Sequence, residues 1–370
     1  MKRIYLAVTN DLITDNRVHK VANTLLKSGA KVTVIGRKKK NSLAMGKRPY
    51  LTKRFSLLFS KGPVFYLEYN LRLFLFLFFR KFDFVVANDL DTLLGSYYAS
   101  RFRFKNLVYD SHEYFTEVPE LVNRPFPRKV WKILENKILP KINYSYTVSE
   151  SIARTYQRQY GIKMEVVRNV PYFQKNETSS PILKKSLKKI IYQGSLNVGR
   201  GLEHIIDAMQ FIENAKLEII GDGDITDKLK RQIQEKRLNE KIELKGKIPF
   251  EDLSQHTAQA DLGIALEENL GLNYYYALPN KLFDYIQARI PALTSPFPEM
   301  QKIVNQYEIG TVYDHKNPVL LAEKINEIFR LEKRFNKWKK NTEKAAQELC
   351  WENEEKVLVD IYANLGLKFD

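Results

Sequence analysis

Residues 190–220 read IIYQGSLNVGRGLEHIIDAMQFIENAKLEII. Ile190–Tyr192 has the look of a short apolar strand, and Gly194–Gly201 of a glycine-punctuated loop. Leu202, Ile205, Ile206, Met209 and Ile212 then recur at helical spacing along one face, and Leu217–Ile220 returns as a second strand. Strand, loop, helix and strand make a βαβ unit, the building block of a parallel sheet.

The head of the chain repeats this order. Arg3–Val8 is a strand, a polar loop follows, and Val18, Val21, Ala22, Leu25 and Leu26 line a helix that Gly29 ends. Lys31–Ile35 is the next strand. Two such starts predict an α/β chain of two Rossmann-like, doubly wound domains. The first is expected over residues 1–172 and the second over 190–345. Between them, 173–189 is a linker rich in Lys, Ser, Asn and Pro, and 346–370 is a terminal helix crossing back to the first domain. Further strands are expected at Phe82–Ala87, Leu107–Tyr109, Tyr144–Val148 and Met164–Val167, then at Lys241–Leu244, Leu262–Leu266 and Ala292–Leu293. Their C-terminal ends are polar throughout, where open parallel sheets bind ligands, so a cleft between two facing rows is predicted.

Composition narrows the class. An apolar content of 44% and a charged content of 28% suit a globular protein. The single cysteine, Cys350, excludes an intramolecular disulfide and fits a reducing cytosol. Ile4–Val8 is too short for a signal-peptide core and reads as a buried strand. No His/Cys cluster has metal-ligand spacing. The charge is lopsided: residues 1–170 hold 31 Lys/Arg against 13 Asp/Glu, while the remainder is nearly neutral. Residues 37–81 alone carry 12 basic residues and one acid, Glu68. Such a field favours an anionic partner.

Five motifs carry the chemistry. In Gly194–Gly201, glycines allow close backbone approach to a phosphate and Arg200 adds a fixed charge; an ordinary flexible loop would look similar. Gly221-Asp222-Gly223 lies at the next strand end, where turn geometry alone also explains glycine. Asp89-Leu90-Asp91 and Asp222-Gly223-Asp224 match a metal-binding Asp-x-Asp pattern, but Asp91 is read as a helix cap. Asp110-Ser111-His112-Glu113 follows a strand, and flanking acids can set a histidine tautomer; a surface-loop histidine is the plainer alternative. Pro279 opens a helix with free N–H groups at Asn280 and Lys281, while Lys281 and Asp284 share a face. That pair suits a diphosphate and a ribose diol, or is a simple intrahelical ion pair.

Taken together, YDSHEYF at 109–115, GSLNVGRGLEHIIDA at 194–208, IIGDGD at 219–224 and LPNKLFDYIQARIPAL at 278–293 resemble the retaining GT-B glycosyltransferases of bacterial capsule, lipopolysaccharide and exopolysaccharide assembly. The resemblance spans the chain as far as the final helix Trp351–Leu365. It implies that Arg200 neutralises a donor diphosphate, Asp284 holds ribose hydroxyls, Asn280 and Lys281 meet phosphates, and His112 lies near the donor sugar and acceptor. The donor set also includes Gly194, Ser195, Gly199, Gly221, Gly223, Ile248 and Glu267. Asn16, Arg17, Asp110 and Glu113 fall on the acceptor side. Three positions depart from the family: Ser195 replaces a basic residue, Tyr276 stands at the first acid of a Glu-x₇-Glu motif, and Thr14-Asp15-Asn16-Arg17 replaces a glycine pair. Glu267 is the candidate substitute for the missing acid.

The resulting expectation is transfer of a sugar from a UDP- or GDP-linked donor to a hydroxyl of a growing, lipid-linked glycan, with retained configuration and no metal cofactor. A nucleotide-sugar epimerase and an inactive binding subunit are the alternatives. Nucleic acid is not an expected partner, for want of a binding-module signature. The expected location is the cytoplasmic face of the membrane. An anionic membrane surface is expected to be met through residues 37–81, with Arg37–Lys61 lying on the lipid and Leu71–Phe79 a buried helix beneath the strand Phe82–Ala87.

Overall fold

The computed structural model describes residues 1–13, 15–40, 42, 44–175, 187–314 and 317–369. Thr14 and most of the expected linker, 176–186, lie outside the described residues. The chain divides into two compact units, Met1–Asn169 with Glu354–Asp370, and Val170–Asn353.

The N-terminal unit is built on seven parallel strands: β1 Arg3–Ala7, β2 Lys31–Lys38, β3 Leu51–Ser56, β4 Phe84–Asn88, β5 Asn106–Ser111, β6 Tyr144–Thr147 and β7 Glu165–Val166. Their order across the sheet is β3-β2-β1-β4-β5-β6-β7, so the winding reverses between β1 and β4. Helix α1, Asn16–Lys27, starts at Asp15, whose carboxylate accepts the Val18 N–H. It buries Val18, Val21, Ala22 and Leu25, the face the periodicity predicts. Helices α2, Pro63–Phe78, and α3, Leu93–Arg103, follow β3 and β4. The helix Trp351–Ala363 closes this unit, its Tyr362 ring stacking 5.7 Å from Phe84 and meeting Tyr146 edge-on.

The second unit has six parallel strands: β8 Lys188–Gln193, β9 Ala215–Ile220, β10 Ile242–Gly246, β11 Leu262–Ala265, β12 Ala292–Thr294 and β13 Gly310–Val312. Their order, β10-β9-β8-β11-β12-β13, reverses between β8 and β11. Leu202, Ile205, Ile206, Met209 and Ile212 are all fully buried against this sheet. Strand β10 is register-shifted beside β9, where Gly246 rather than the next residue pairs with Ile220. Each sheet therefore has its own switch point, the place where a doubly wound sheet opens a crevice for ligand.

Two strands are additional to those expected, and one expectation needs correcting. β3 and β13 are strands that the sequence reading left unassigned. β3 lies within the stretch assigned to lipid, yet its Phe55 is buried against Tyr69, with ring centroids 5.8 Å apart. Leu71–Phe79 does belong to a helix near β4, but only one of its faces is buried, because Leu71, Leu75 and Phe79 point to solvent.

Candidate functional site

At the β8/β11 switch point the C-terminal unit gathers most of the expected donor residues. Glycine loops after β8 and β9 press against each other: a Cβ on Gly221, which has φ +144°, would sit 1.8 Å from the Gly194 carbonyl oxygen. One on Gly201 would meet the Leu266 carbonyl oxygen at 2.1 Å. Gly199 packs on Leu270 and Tyr274, and Gly223 on Leu196 and Asn197. These glycines are required by loop packing itself, so they shape the rim rather than merely leaving room for a ligand.

Three charged side chains converge beneath that rim. Glu267, just past β11, is fully buried; its Oε1 accepts from Lys281 Nζ at 3.0 Å and lies 3.6 Å from an Arg200 guanidinium nitrogen. Its Oε2 has no hydrogen-bond partner among the described residues. Lys281 Nζ also sits 4.1 Å from the Tyr192 ring centroid, and the Arg200 guanidinium 4.6 Å from that of Tyr274. Each cation is held between a carboxylate and an aromatic face, an arrangement that fixes position at low cost in solvation. Lys281 is thus engaged by Glu267, which the simple intrahelical-pair reading with Asp284 did not anticipate. Asp284 instead accepts from Gln193 Nε2 at 2.7 Å, and Gln193 is anchored in turn by Thr257 at 2.6 Å. Asn280 is exposed at the first turn of its helix, which begins at Pro279 without a side-chain cap. Ser195 is exposed, its carbonyl accepting from the Tyr192 hydroxyl; Tyr276 and Ile248 are half-buried. Gln193, Tyr192 and Tyr274 escaped the sequence reading. Gln193 was legible as a polar residue closing an apolar strand, whereas the aromatic platforms gave no separate signal.

The N-terminal unit assembles a different constellation at its β1/β4 switch point. Arg17 is buried and grips Asp110 through two nitrogens, Nη2 at 2.7 Å and Nε at 3.1 Å, while Nη1 donates to the Val167 carbonyl at 2.8 Å. Arg17 is therefore a structural clamp on Asp110 and not an open acceptor-side cation. His112 lies between two acids, Nε2 3.2 Å from Asp110 and Nδ1 3.4 Å from Asp89, and its backbone N–H donates to Asp89 at 2.7 Å. Burial raises the Asp110 carboxyl, but Arg17 and His112 outweigh that and hold it at about 2. Burial likewise works against the His112 imidazolium, yet Asp89 and Asp110 raise it well above an ordinary histidine.

Asp89 pays for this position with its backbone. Its φ of 62° and ψ of 169° fall where essentially only glycine is at ease, a strain on the order of 1–3 kcal/mol that clusters at functional sites. Asp91 does not cap α3. It is buried and accepts a hydrogen bond from the Thr9 hydroxyl; burial pushes its carboxyl up to about 7. Glu113 is half-buried, its carbonyl accepting from Ser111, and Asn16 is exposed at the start of α1. Among the described residues no group of three or more His, Cys, Asp and Glu is placed to hold a metal ion. A cavity of about 1000 Å³ lies at the N-terminal ends of β8–β10, among Lys188, Lys216, Glu218 and Lys241, at the end of the sheet opposite the switch point.

The two halves match two adjacent family models: residues 15–171 match "Glycosyltransferase Family 4" and residues 174–345 match "Glycosyl transferases group 1". The chain belongs to the group 1 glycosyltransferases. Three solved structures show where this glycosyltransferase stands in fold. Sucrose-phosphate synthase from Thermosynechococcus elongatus aligns with a TM-score of 0.80 at 16% identity, covering 99% of each chain. HepE of Anabaena, in complex with UDP-glucose, gives 0.73 at 15%, covering 99% of this chain and 100% of its own. WaaG, a glycosyltransferase involved in lipopolysaccharide biosynthesis, gives 0.73 at 13%, covering 97% and 99%. At these identities the likeness is one of architecture, the two-unit GT-B fold. No curated protein sequence matches the glycosyltransferase significantly.

Proposed function

We propose that this chain moves a sugar from a uridine or guanosine diphosphate sugar to a hydroxyl of a growing, lipid-linked surface glycan at the cytoplasmic face of the membrane, with retained configuration. The observation that carries the reading is the convergence of Arg200 and Lys281 on buried Glu267 at a switch point. In the transfer the bond from the anomeric carbon to the donor diphosphate breaks, the acceptor oxygen bonds to that carbon on the face the diphosphate leaves, and the acceptor's proton passes to the departing diphosphate. Negative charge grows on the departing phosphate oxygen, and two pre-positioned cations with the free N–H groups at Asn280 and Lys281 stabilise it there. This electrostatic role is the one a divalent metal fills elsewhere, so the reading requires none.

Asp284, oriented by Gln193, accepts from the ribose diol. On the other unit, His112 holds the sugar or orients the acceptor hydroxyl, with Asp110 and Asp89 fixing its ring. Uridine is favoured as the base because HepE is complexed with UDP-glucose. Incubation with a panel of uridine and guanosine diphosphate sugars and a lipid-linked glycan acceptor tests the reading, and the anomeric coupling of the product tests retention. Isomerisation of the donor without acceptor, or no consumption of any donor, would reject it.

A further inference from the structure

Helix α2 is amphipathic in an unusual sense: both of its faces are apolar, and only one is covered. Phe65, Tyr69, Leu73 and Leu77 are buried, the last three in the core with Phe55 and Val85. Val64, Leu67, Leu71, Leu75 and then Phe79 form a second stripe that is open to solvent, with Leu67 64% and Phe79 77% exposed. Helix α3 extends it through Tyr98 and Phe102, and Phe104, just beyond its end, is 91% exposed. The rings run continuously from one helix to the other: Phe79 to Phe78 at 5.2 Å, Phe78 to Phe74 at 5.6 Å, Phe74 to Phe102 at 6.0 Å and Phe102 to Tyr98 at 6.4 Å. A contiguous apolar face of this kind marks an interaction surface rather than ordinary surface scatter.

Its border decides the partner. Arg72, Arg80 and Lys81 lie on or just after α2, and Arg101, Arg103 and Lys105 on or just after α3. Glu68, the acid of α2, is already used by the Leu58 and Phe59 N–H groups and by Arg72. A second copy of so basic a face would be repelled, whereas an anionic bilayer satisfies both the charge and the apolar surface. Sixteen residues of α2 span about 24 Å, short of the hydrocarbon core, so this helix lies on a bilayer and does not cross it.

We propose that the α2–α3 face docks on an anionic lipid bilayer, with Leu71, Leu75, Phe79 and Phe102 entering the interface and Arg80, Lys81, Arg101, Arg103 and Lys105 meeting head groups, Arg72 being paired with Glu68. This moves the docking surface away from residues 37–61, where Phe55 is buried, Arg54 faces Asp11 at 3.4 Å and Arg37 lies over the Phe65 ring at 4.6 Å. The proposal rests on the functional reading above for its purpose, bringing the chain to a lipid-linked acceptor, but its test is independent of sugar transfer.

The test is co-sedimentation of the full chain with vesicles of phosphatidylcholine alone or mixed with phosphatidylglycerol, at low and high salt. Binding is expected only with the mixed vesicles and weakens as salt rises. Leu71→Ser with Phe102→Ser, and separately Leu75→Glu with Phe79→Glu, should each reduce partitioning by about tenfold or more. Neutralising Lys38, Lys39 and Lys40 to glutamine should change it by less than about threefold, through the general field alone. Titration of each variant with UDP reports whether the C-terminal unit is intact, and unfolding monitored by circular dichroism whether the chain is folded. Equal recovery with neutral vesicles, full binding by both folded apolar-face variants, or a dimer that these variants dissolve would overturn the proposal. Vesicle binding without any donor use would leave it standing and overturn the proposed reaction instead.

Discussion

Lys281 Nζ and Glu267 Oε1 lie 3.0 Å apart with the carboxylate wholly buried, and the second oxygen of that carboxylate is unpartnered among the described residues. A diphosphate arriving at Lys281 and Arg200 competes with Glu267 for both. Glu267→Gln should therefore destabilise the protein without ligand by about 1–3 kcal/mol, because it leaves a buried ammonium without its counter-charge. The same change should enlarge the rise in Tm produced by saturating UDP, since the anion no longer displaces an internal rival. Thermal unfolding with and without UDP measures both effects. An unchanged UDP increment would mean that Glu267 does not compete for the site.

Arg200→Ala and Lys281→Ala each remove one charge aimed at the departing phosphate. Loss of one such contact should cost on the order of 2–4 kcal/mol in kcat/KM. Steady-state kinetics with the true donor would show it, and near-wild-type values for both variants would place the donor elsewhere.

His112→Ala should lower sugar transfer by roughly 10²–10⁴-fold while leaving nucleotide affinity close to wild type. Parallel turnover assays and calorimetric titration with UDP separate these effects. A large loss of UDP affinity would reassign His112 to nucleotide binding.

Arg17→Met strands the Asp110 carboxylate in the core. Breaking one partner of a buried pair is expected to cost about 3–5 kcal/mol, and Arg17→Lys should recover only part, having a point charge where a fork fits. Chemical denaturation gives the values. A cost below about 1 kcal/mol for Arg17→Met would mean that Asp110 is satisfied by other groups.

Asp91 makes the N-terminal unit sensitive to pH. Burial raises its folded value to about 7, well above the ordinary carboxylate range, so the folded state holds its proton more tightly than the unfolded chain. The stabilisation is complete below the unfolded value and is lost as pH rises through the folded one. Unfolding free energy should fall between about pH 4 and 7, and Asp91→Asn should flatten that fall by on the order of 1–3 kcal/mol. Asp110 acts in the opposite sense, its contribution vanishing as pH drops toward 2. Denaturation curves at pH 4.5 and 7.5 on the Asp91→Asn variant and its parent isolate the first effect. Equal slopes in the two proteins would count against it.

Much of the fold was legible because both βαβ starts announce themselves through local signals. Apolar periodicity at Val18–Leu26 and Leu202–Ile212 fixed two helices and their inward faces, and the polar strand ends marked the ligand-binding edge of each sheet, whose switch points the strand order then placed. What escaped was non-local. β3 is so basic that nothing in Leu51–Ser56 distinguishes an edge strand from a surface loop until its pairing with β2 is known. The partners of Arg17 and Asp91 lie 93 and 82 residues away in sequence, so spacing along the chain could name these residues but not say whom they face. Helix α2 failed for another reason: a run apolar on every side looks buried, and sequence cannot tell which side has a neighbour.

From Glu354 onward the helix Trp351–Ala363 belongs with the N-terminal unit, although the C-terminal unit, Val170–Asn353, is encoded before that point. During synthesis, therefore, the first unit to emerge is the last to be finished. Phe84 and Tyr146 remain uncovered until Tyr362 has left the ribosome, more than two hundred residues later, a delay of about ten to fifty seconds at ordinary elongation rates. A nascent chain of this topology carries an open aromatic seam throughout that interval, which makes its first half a natural client for a chaperone and makes a late frameshift as damaging to the beginning of the protein as to its end.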